Sequence, residues 1–219
     1  MEDLFKPAAV IFDKDGLMLD TERPIAALWK VAGKTFGWNI TDEVIYRTLG
    51  TTAEGTRAVY MNEFGPEFPI IDIVNELRRL EAEVFKGGID HKAGLLPLLD
   101  FLRSIKMPIA VATSSGRASA LRDLEKAGIL DRFAAIACGD EAKNGKPAPD
   151  IFLLAAERLG VSPEACVGFE DSAAGLKGLH AAGIRSVFIK DMILPPDEIL
   201  STVWKRYENL EEAIELFKF

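Results

Sequence analysis

The sequence holds two cysteines, Cys138 and Cys166, and two histidines, His91 and His180, among 219 residues. Cysteines this sparse, each inside a short apolar run, exclude a disulfide-stapled scaffold and read as buried free thiols of a reducing compartment. With two histidines far from them in sequence, they also fall short of a zinc ligand set. No stretch of about 18 uncharged apolar residues occurs, so no membrane span is expected. The opening MEDLFKPAAV has no basic segment ahead of a long apolar one, so no signal peptide is expected either, and a cytoplasmic protein is. A basic block is missing too: Lys plus Arg number 26 against 34 Asp plus Glu, a net charge of −8. That balance argues against nucleic acid or an anionic membrane as a partner. What is present is 48% hydrophobic residues and a mean hydropathy of +0.10, enough for a sizeable core and too apolar for a disordered chain.

The periodicities predict an α/β core carrying an insertion. Residues 8–12, AAVIF, form a short apolar run that ends in an acidic loop and read as a buried strand. Residues 22–37, 41–50, 53–63 and 70–86 then repeat apolar residues at helical spacing, with no comparable strand among them. From residue 94 the pattern alternates. Helices are expected over 95–105, 116–128, 149–160 and 172–183, and strands over 107–113, 133–139, 165–169 and 185–189. A weaker strand, STVWKRY, and a last helix, NLEEAIELF, close the chain. Such alternation implies a parallel sheet with helices on both faces. The expected organisation is a Rossmann-like catalytic core of residues 1–17 and 93–219 and an all-helical cap of residues 18–92. The cap is joined near 17–21 and 87–93, where Gly87-Gly88 offers a flexible joint.

Ligands of open parallel sheets sit beyond the C-terminal strand ends, and polar residues occupy those ends here. Asp13 and Asp15 follow the first strand, Thr113 and Ser114 end the second, Lys146 lies in the loop after the third, and Glu170 and Asp171 follow the fourth. Each element alone has a plainer reading. D-x-D-G is a common strand-ending turn, Thr113-Ser114-Ser115-Gly116 is a common helix N-cap, and a loop lysine is usually solvated. An EF-hand fits poorly, since Leu17 and Met18 stand where a ligand and a glycine belong. If the strands are neighbours, however, four carboxylates, a hydroxyl and an ammonium converge. Carboxylates so crowded repel one another. Hard oxygen donors in that number suit Mg²⁺, which binds substrate phosphate as well. The turn after Thr113 also offers N–H groups to a phosphate.

The segments DKDGLMLDTE, IAVATSS, GKPAPD and GFEDSAAG resemble, in order, the four motifs of the haloacid dehalogenase-like hydrolase superfamily. The helical insertion resembles the C1-type cap of its phosphatase and phosphoglucomutase-like branch. The resemblance implies a Mg²⁺-dependent phosphatase working through a phosphoaspartyl intermediate on a small phosphorylated metabolite; a sugar phosphate is the expected substrate and a monomer the expected state. By the same resemblance Asp13 is the nucleophile. Asp15 protonates the leaving oxygen, deprotonates the hydrolytic water and lends its carbonyl to the metal. Thr113 holds a phosphoryl oxygen and Lys146 neutralises charge. Asp171 ligates Mg²⁺, with Glu170 a direct or outer partner. Some members carry a further carboxylate at the position of Gly175. An acid at neutral pH needs an upward pKa shift, which a nearby cation on Asp15 opposes. Ser114, Arg117, Glu22, Thr51 and Thr52 are expected to bind substrate.

A β-phosphoglucomutase-type phosphohexomutase is the alternative. The mutases carry a histidine on the first cap helix and an arginine in the cap loop; here Ile25 and Ala53 stand at those offsets. Arg57, Arg78, Arg79 or Arg117 are the available substitutes. A response-regulator receiver domain would place its acidic pair on the first strand and its phosphoacceptor on the third, which this order of residues does not match. A binding protein that has lost catalysis on the same scaffold would not keep every expected catalytic type.

Overall fold

The computed structural model describes residues 5–218. Six parallel strands form one sheet: β1 (Ala9–Phe12), β2 (Ile109–Thr113), β3 (Ala135–Cys138), β4 (Cys166–Glu170), β5 (Arg185–Ile189) and β6 (Lys205–Tyr207). Their order is β3-β2-β1-β4-β5-β6. β1 therefore lies between β2 and β4, with Phe12 in register with Val111 on one side and Phe169 on the other. The chain leaves β1 in opposite directions across the sheet, and the crevice at that reversal is where an α/β sheet binds its ligand.

Side chains alternate between the two faces of a strand, and two separate cores result. Val10, Phe12, Val111, Val167 and Phe169 face α5 (Leu95–Ser104) and α6 (Arg117–Lys126), packing on Leu98, Leu102 and Leu124. Ala9, Ile11, Ala110, Ala112 and Ala137 face the other way, onto Phe152 and Ala155 of α7 (Asp150–Leu159) and Leu179 of α8 (Ala173–Ala181). The small alanines let α7 lie close to the sheet. Cys138 and Cys166 are free and buried.

The insertion comprises α1 (Glu22–Thr35), α2 (Asp42–Tyr46), α3 (Ala53–Phe64) and α4 (Ile70–Val84). It has its own core, in which Trp29 stacks on Tyr60 at 4.4 Å and Ile73 and Leu77 of α4 pack beside them. Four elements differ from the sequence pattern, the first being α2, which ends at Tyr46 where helical spacing runs on to residue 50. A short helix, α9 (Asp197–Leu200), follows Pro196, and the last strand keeps only Lys205–Tyr207 of STVWKRY. The closing helix is 3-10 over Glu212–Phe217, yet it still turns Ala213 and Phe217 into the core. No helix among the described residues is long and apolar enough to cross a membrane.

Candidate active site

The sheet brings Asp13, Asp15, Thr113, Ser114, Lys146 and Asp171 to the wall of one cavity of about 370 Å³ at the β1 crevice. Lys146 is the hub. Its Nζ donates to Asp13 Oδ1 at 2.5 Å and also to Glu170 Oε1, with the lysine side chain 2% exposed. Burial opposes its charge, but Asp13 and Glu170 outweigh that and hold the ammonium above its ordinary value.

Glu170 is fully buried, and both its oxygens have protein partners. Oε2 accepts from the backbone N–H groups of Asp171 and Ser172 and from Ser172 Oγ. It thus folds back over the turn that enters α8, while Ser172 Oγ caps the helix by accepting from the Gly175 N–H. A Cβ on Gly175 would come within 1.8 Å of Glu170 Oε1. The missing side chain at Gly175 is what lets Glu170 take this place.

Asp13 is pushed up to about 7 by burial, with Glu170 and Asp15 adding to the push and Lys146 opposing it. Asp171 is raised well above the ordinary carboxylate range, first by burial and then by Glu170 and Glu22. Glu22, at the start of α1, is pushed up to about 8 by burial and by Asp15 and Asp13. It therefore sits at the acidic floor, its carboxylate within 4.8 Å of those of Asp171 and Asp191. Gly16, at φ +80°, allows this approach, because a Cβ there would lie 2.6 Å from Asp171 Oδ2. Asp171 Oδ1 is buried with no hydrogen-bond partner. An orphaned carboxylate oxygen among acids that cannot all ionise unaided is what a hard divalent cation relieves, so the donor set fits Mg²⁺.

Asp15 behaves differently. Its Oδ1 accepts from Lys14 Nζ at 2.7 Å and Thr21 Oγ1 at 2.8 Å, and its Oδ2 from Ser115 Oγ at 3.0 Å. Burial pushes its carboxyl up, but Lys14, Thr21 and Ser115 together hold it below the ordinary range. That is the reverse of the shift an acid at neutral pH needs.

Thr113 is buried, and its Oγ1 accepts from the Ser115 N–H at 3.1 Å. Ser114 Oγ is buried without a partner and lines the cavity, where it can donate to an anionic oxygen. Thr51 lines the cavity from the cap and bonds Thr48 O and Thr56 Oγ1. Thr52 does not line it. It caps α3 through the Gly55 N–H and touches the Lys146 loop, its Cγ2 lying 2.2 Å from where a Gly145 Cβ would stand. Arg117 lies outside the cavity lining, paired with Glu141 at 3.3 Å.

Of the four arginines weighed as mutase substitutes, only Arg78 reaches the cavity wall; Arg79 is tied to Glu76 at 2.8 Å. Ile25 and Ala53 line the wall together with Trp29 and Leu77, beside the polar cap residues Thr51, Thr56, Arg78 and Glu81. Lys14, Thr21, Ser115 and Asp191 were not singled out in the sequence. Asp191 stands just past β5 and carried the same strand-end signal as the others. It pairs with Lys92 at 2.5 Å and Arg23 at 2.8 Å.

Comparison with known proteins gives the family and the fold. The model of the haloacid dehalogenase-like hydrolase family matches residues 7–183. The chain is 31% identical over 180 residues to a phosphorylated carbohydrates phosphatase of Thermotoga maritima, covering 82% of this chain and 83% of that one. It is 31% identical over 189 residues to the fructose-1-phosphate phosphatase YqaB of Escherichia coli, covering 84% and 96%. Among solved structures it resembles a β-phosphoglucomutase of Clostridium difficile, with a TM-score of 0.79 at 25% identity, covering 94% and 93%.

Proposed function

We propose that this chain, which belongs to the haloacid dehalogenase-like hydrolase family, is a Mg²⁺-dependent phosphatase that hydrolyses a small sugar phosphate through a phosphoaspartate on Asp13. The observation that carries the reading is the Lys146 ammonium, which joins Asp13 to buried Glu170 at the floor of a cavity walled by cap and core. A carboxylate attacking phosphorus must meet an anion, and a fixed cation beside it offsets that repulsion. Asp13, Asp171 and the main-chain carbonyl of Asp15 would hold Mg²⁺, which when bound supplies further positive charge to the phosphoryl oxygens.

The chain's own groups do the rest. Asp13 attacks phosphorus, the bond from phosphorus to the substrate's ester oxygen breaks, and that oxygen takes a proton from the Asp15 carboxyl as it leaves. Thr113 Oγ1, Ser114 Oγ and the Ser114 N–H take the phosphoryl oxygens. Asp15 then accepts a proton from the water that attacks the phosphoaspartate. Both curated phosphatases above act, by name, on phosphorylated carbohydrates, and this supports a sugar phosphate as substrate. The structural likeness to a β-phosphoglucomutase supports a second reading, phosphohexomutase. Against it, Ile25 and Ala53 put apolar wall where a mutase needs a proton carrier and a second-phosphate anchor, which favours water as acceptor.

The test is a screen of sugar phosphates, nucleotides and small organic phosphates with Mg²⁺, alongside EDTA and an Asp13→Asn control. Phosphate release from sugar phosphates, lost in both controls, is expected. Activity that survives EDTA or the Asp13→Asn exchange would overturn the reading.

A further inference from the structure

None of the roles implied by the motifs falls on Lys14, the residue between the two aspartates. Its side chain is nevertheless 1% exposed, and its Nζ bridges Asp15 Oδ1 at 2.7 Å and Asp123 Oδ2 of α6 at 2.9 Å. A lysine is rarely placed in a core, and when it is, its charge must be matched. Here two carboxylates match it and hold the ammonium in place, pushed up to about 12 although burial opposes the charge.

The bridge is one of three anchors on Asp15, and the three differ in what they are tied to. Thr21 lies on the linker that enters α1, so its hold depends on where the cap stands. Ser115 belongs to the loop after β2, which is also the loop expected to receive the phosphoryl group. Lys14 alone is braced from behind, by Asp123 on a core helix. Both members of this bridge belong to the core, although Lys14 and Asp123 also border a cavity lined by Arg78 and Glu81 of the cap.

We propose that Lys14 is a positioning residue that aims the Asp15 carboxylate at the water of the hydrolytic step. The inference rests on the phosphoaspartyl reading above. In that step the water oxygen bonds to phosphorus, its proton passes to Asp15, and the bond from phosphorus to the Asp13 oxygen breaks, returning the electron pair to the Asp13 carboxylate. A base held at one point can pivot; a base held by Lys14 as well as by the two hydroxyls cannot, and proton transfer needs that fixed geometry.

The two chemical steps can be separated with 4-nitrophenyl phosphate, whose leaving group departs without a proton. Slowing only the second step lowers kcat and KM together, leaves kcat/KM unchanged and lets phosphoenzyme accumulate. A merely structural defect lowers kcat/KM as well and accumulates nothing. For Lys14→Met we expect kcat to fall roughly 10-fold or more, a part of what a general base contributes, with kcat/KM within about threefold and more acid-quenched phosphoenzyme at steady state than in wild type. Asp123→Asn, which loosens the brace and keeps Lys14, should show the same signature more weakly, and it serves if Lys14→Met folds poorly.

Parallel losses of kcat and kcat/KM in both variants, or wild-type kinetics in both, would overturn the inference. Asp15→Asn in the same assay separates it from the parent reading. If Asp15→Asn accumulates phosphoenzyme and the other two do not, only the role of Lys14 fails. If wild type and Asp15→Asn form no phosphoenzyme at all, the phosphoaspartyl reading fails first.

Discussion

Replacing Asp13 by asparagine should stabilise the metal-free protein at pH 8 while it abolishes turnover. The Asp13 side chain is 10% exposed, and burial raises its carboxyl from the ordinary 3.8 to about 7 against the pull of Lys146. A carboxyl raised on folding contributes stability that is full below about 3.8 and is lost as pH climbs through about 7. At pH 8 the ionised form is therefore opposed by about 4 kcal/mol. Asparagine keeps the shape without the charge but forfeits the ion pair to Lys146. The pull of Lys146 is already contained in that value, so the exchange should give a net gain on the order of a few kcal/mol and raise Tm by several degrees. The assay is thermal unfolding of both proteins in EDTA from pH 4 to pH 9. The gain should shrink toward pH 4, where Asp13 is neutral in the wild type too. Adding Mg²⁺ at pH 8 should raise the wild-type Tm by mass action and the variant's much less. An Asp13→Asn protein less stable than wild type at pH 8, or a gain independent of pH, would refute the reasoning.

Other substitutions probe the same floor. Lys146→Met leaves Asp13 and the fully buried Glu170 without their cation. Breaking such a pair costs about 3–5 kcal/mol, so denaturant unfolding at pH 8 should show a loss of that size together with near-complete loss of kcat. Gly175→Ala drives a Cβ against Glu170 Oε1. Overpacking of this kind costs roughly 1–3 kcal/mol, and kcat should drop as Glu170 and its partner Lys146 shift; unchanged stability and activity would show that the contact is not restrictive. Incubation with β-glucose 1-phosphate, primed by β-glucose 1,6-bisphosphate, should release inorganic phosphate or do nothing. Efficient conversion to glucose 6-phosphate would make the protein a mutase.

The parallel sheet and the helical insertion were legible because each strand is a short apolar run and each cap helix repeats apolar residues on one face. The strand-end rule picked out Asp13, Asp15, Thr113, Lys146 and Asp171, and the sheet order makes their strands neighbours. What the sequence hid are contacts between residues far apart along the chain. Lys14 reads as the variable residue of D-x-D-G until α6 brings Asp123 to it, 109 positions away. Glu22 was expected among the substrate contacts of the cap; it lines the cavity, and the turn at Gly16 also brings it to Asp171. Arg117, at a helix start beside the site, is drawn aside by Glu141 on the loop after β3. The roles of Glu170 and Gly175 depend on one another: a carboxylate that turns back over its own helix needs the space a side chain would fill.

The central claim is that phosphorus is bonded to Asp13 during turnover. The direct measurement is rapid acid quench of the enzyme turning over a sugar phosphate with Mg²⁺, followed by peptide mapping by mass spectrometry. The account expects a phosphate adduct, labile to hydroxylamine, on the peptide containing Asp13 and absent from Asp13→Asn. Turnover with no adduct at any time point, in wild type and in the slowed Asp15→Asn variant alike, or an adduct on another residue, would contradict it.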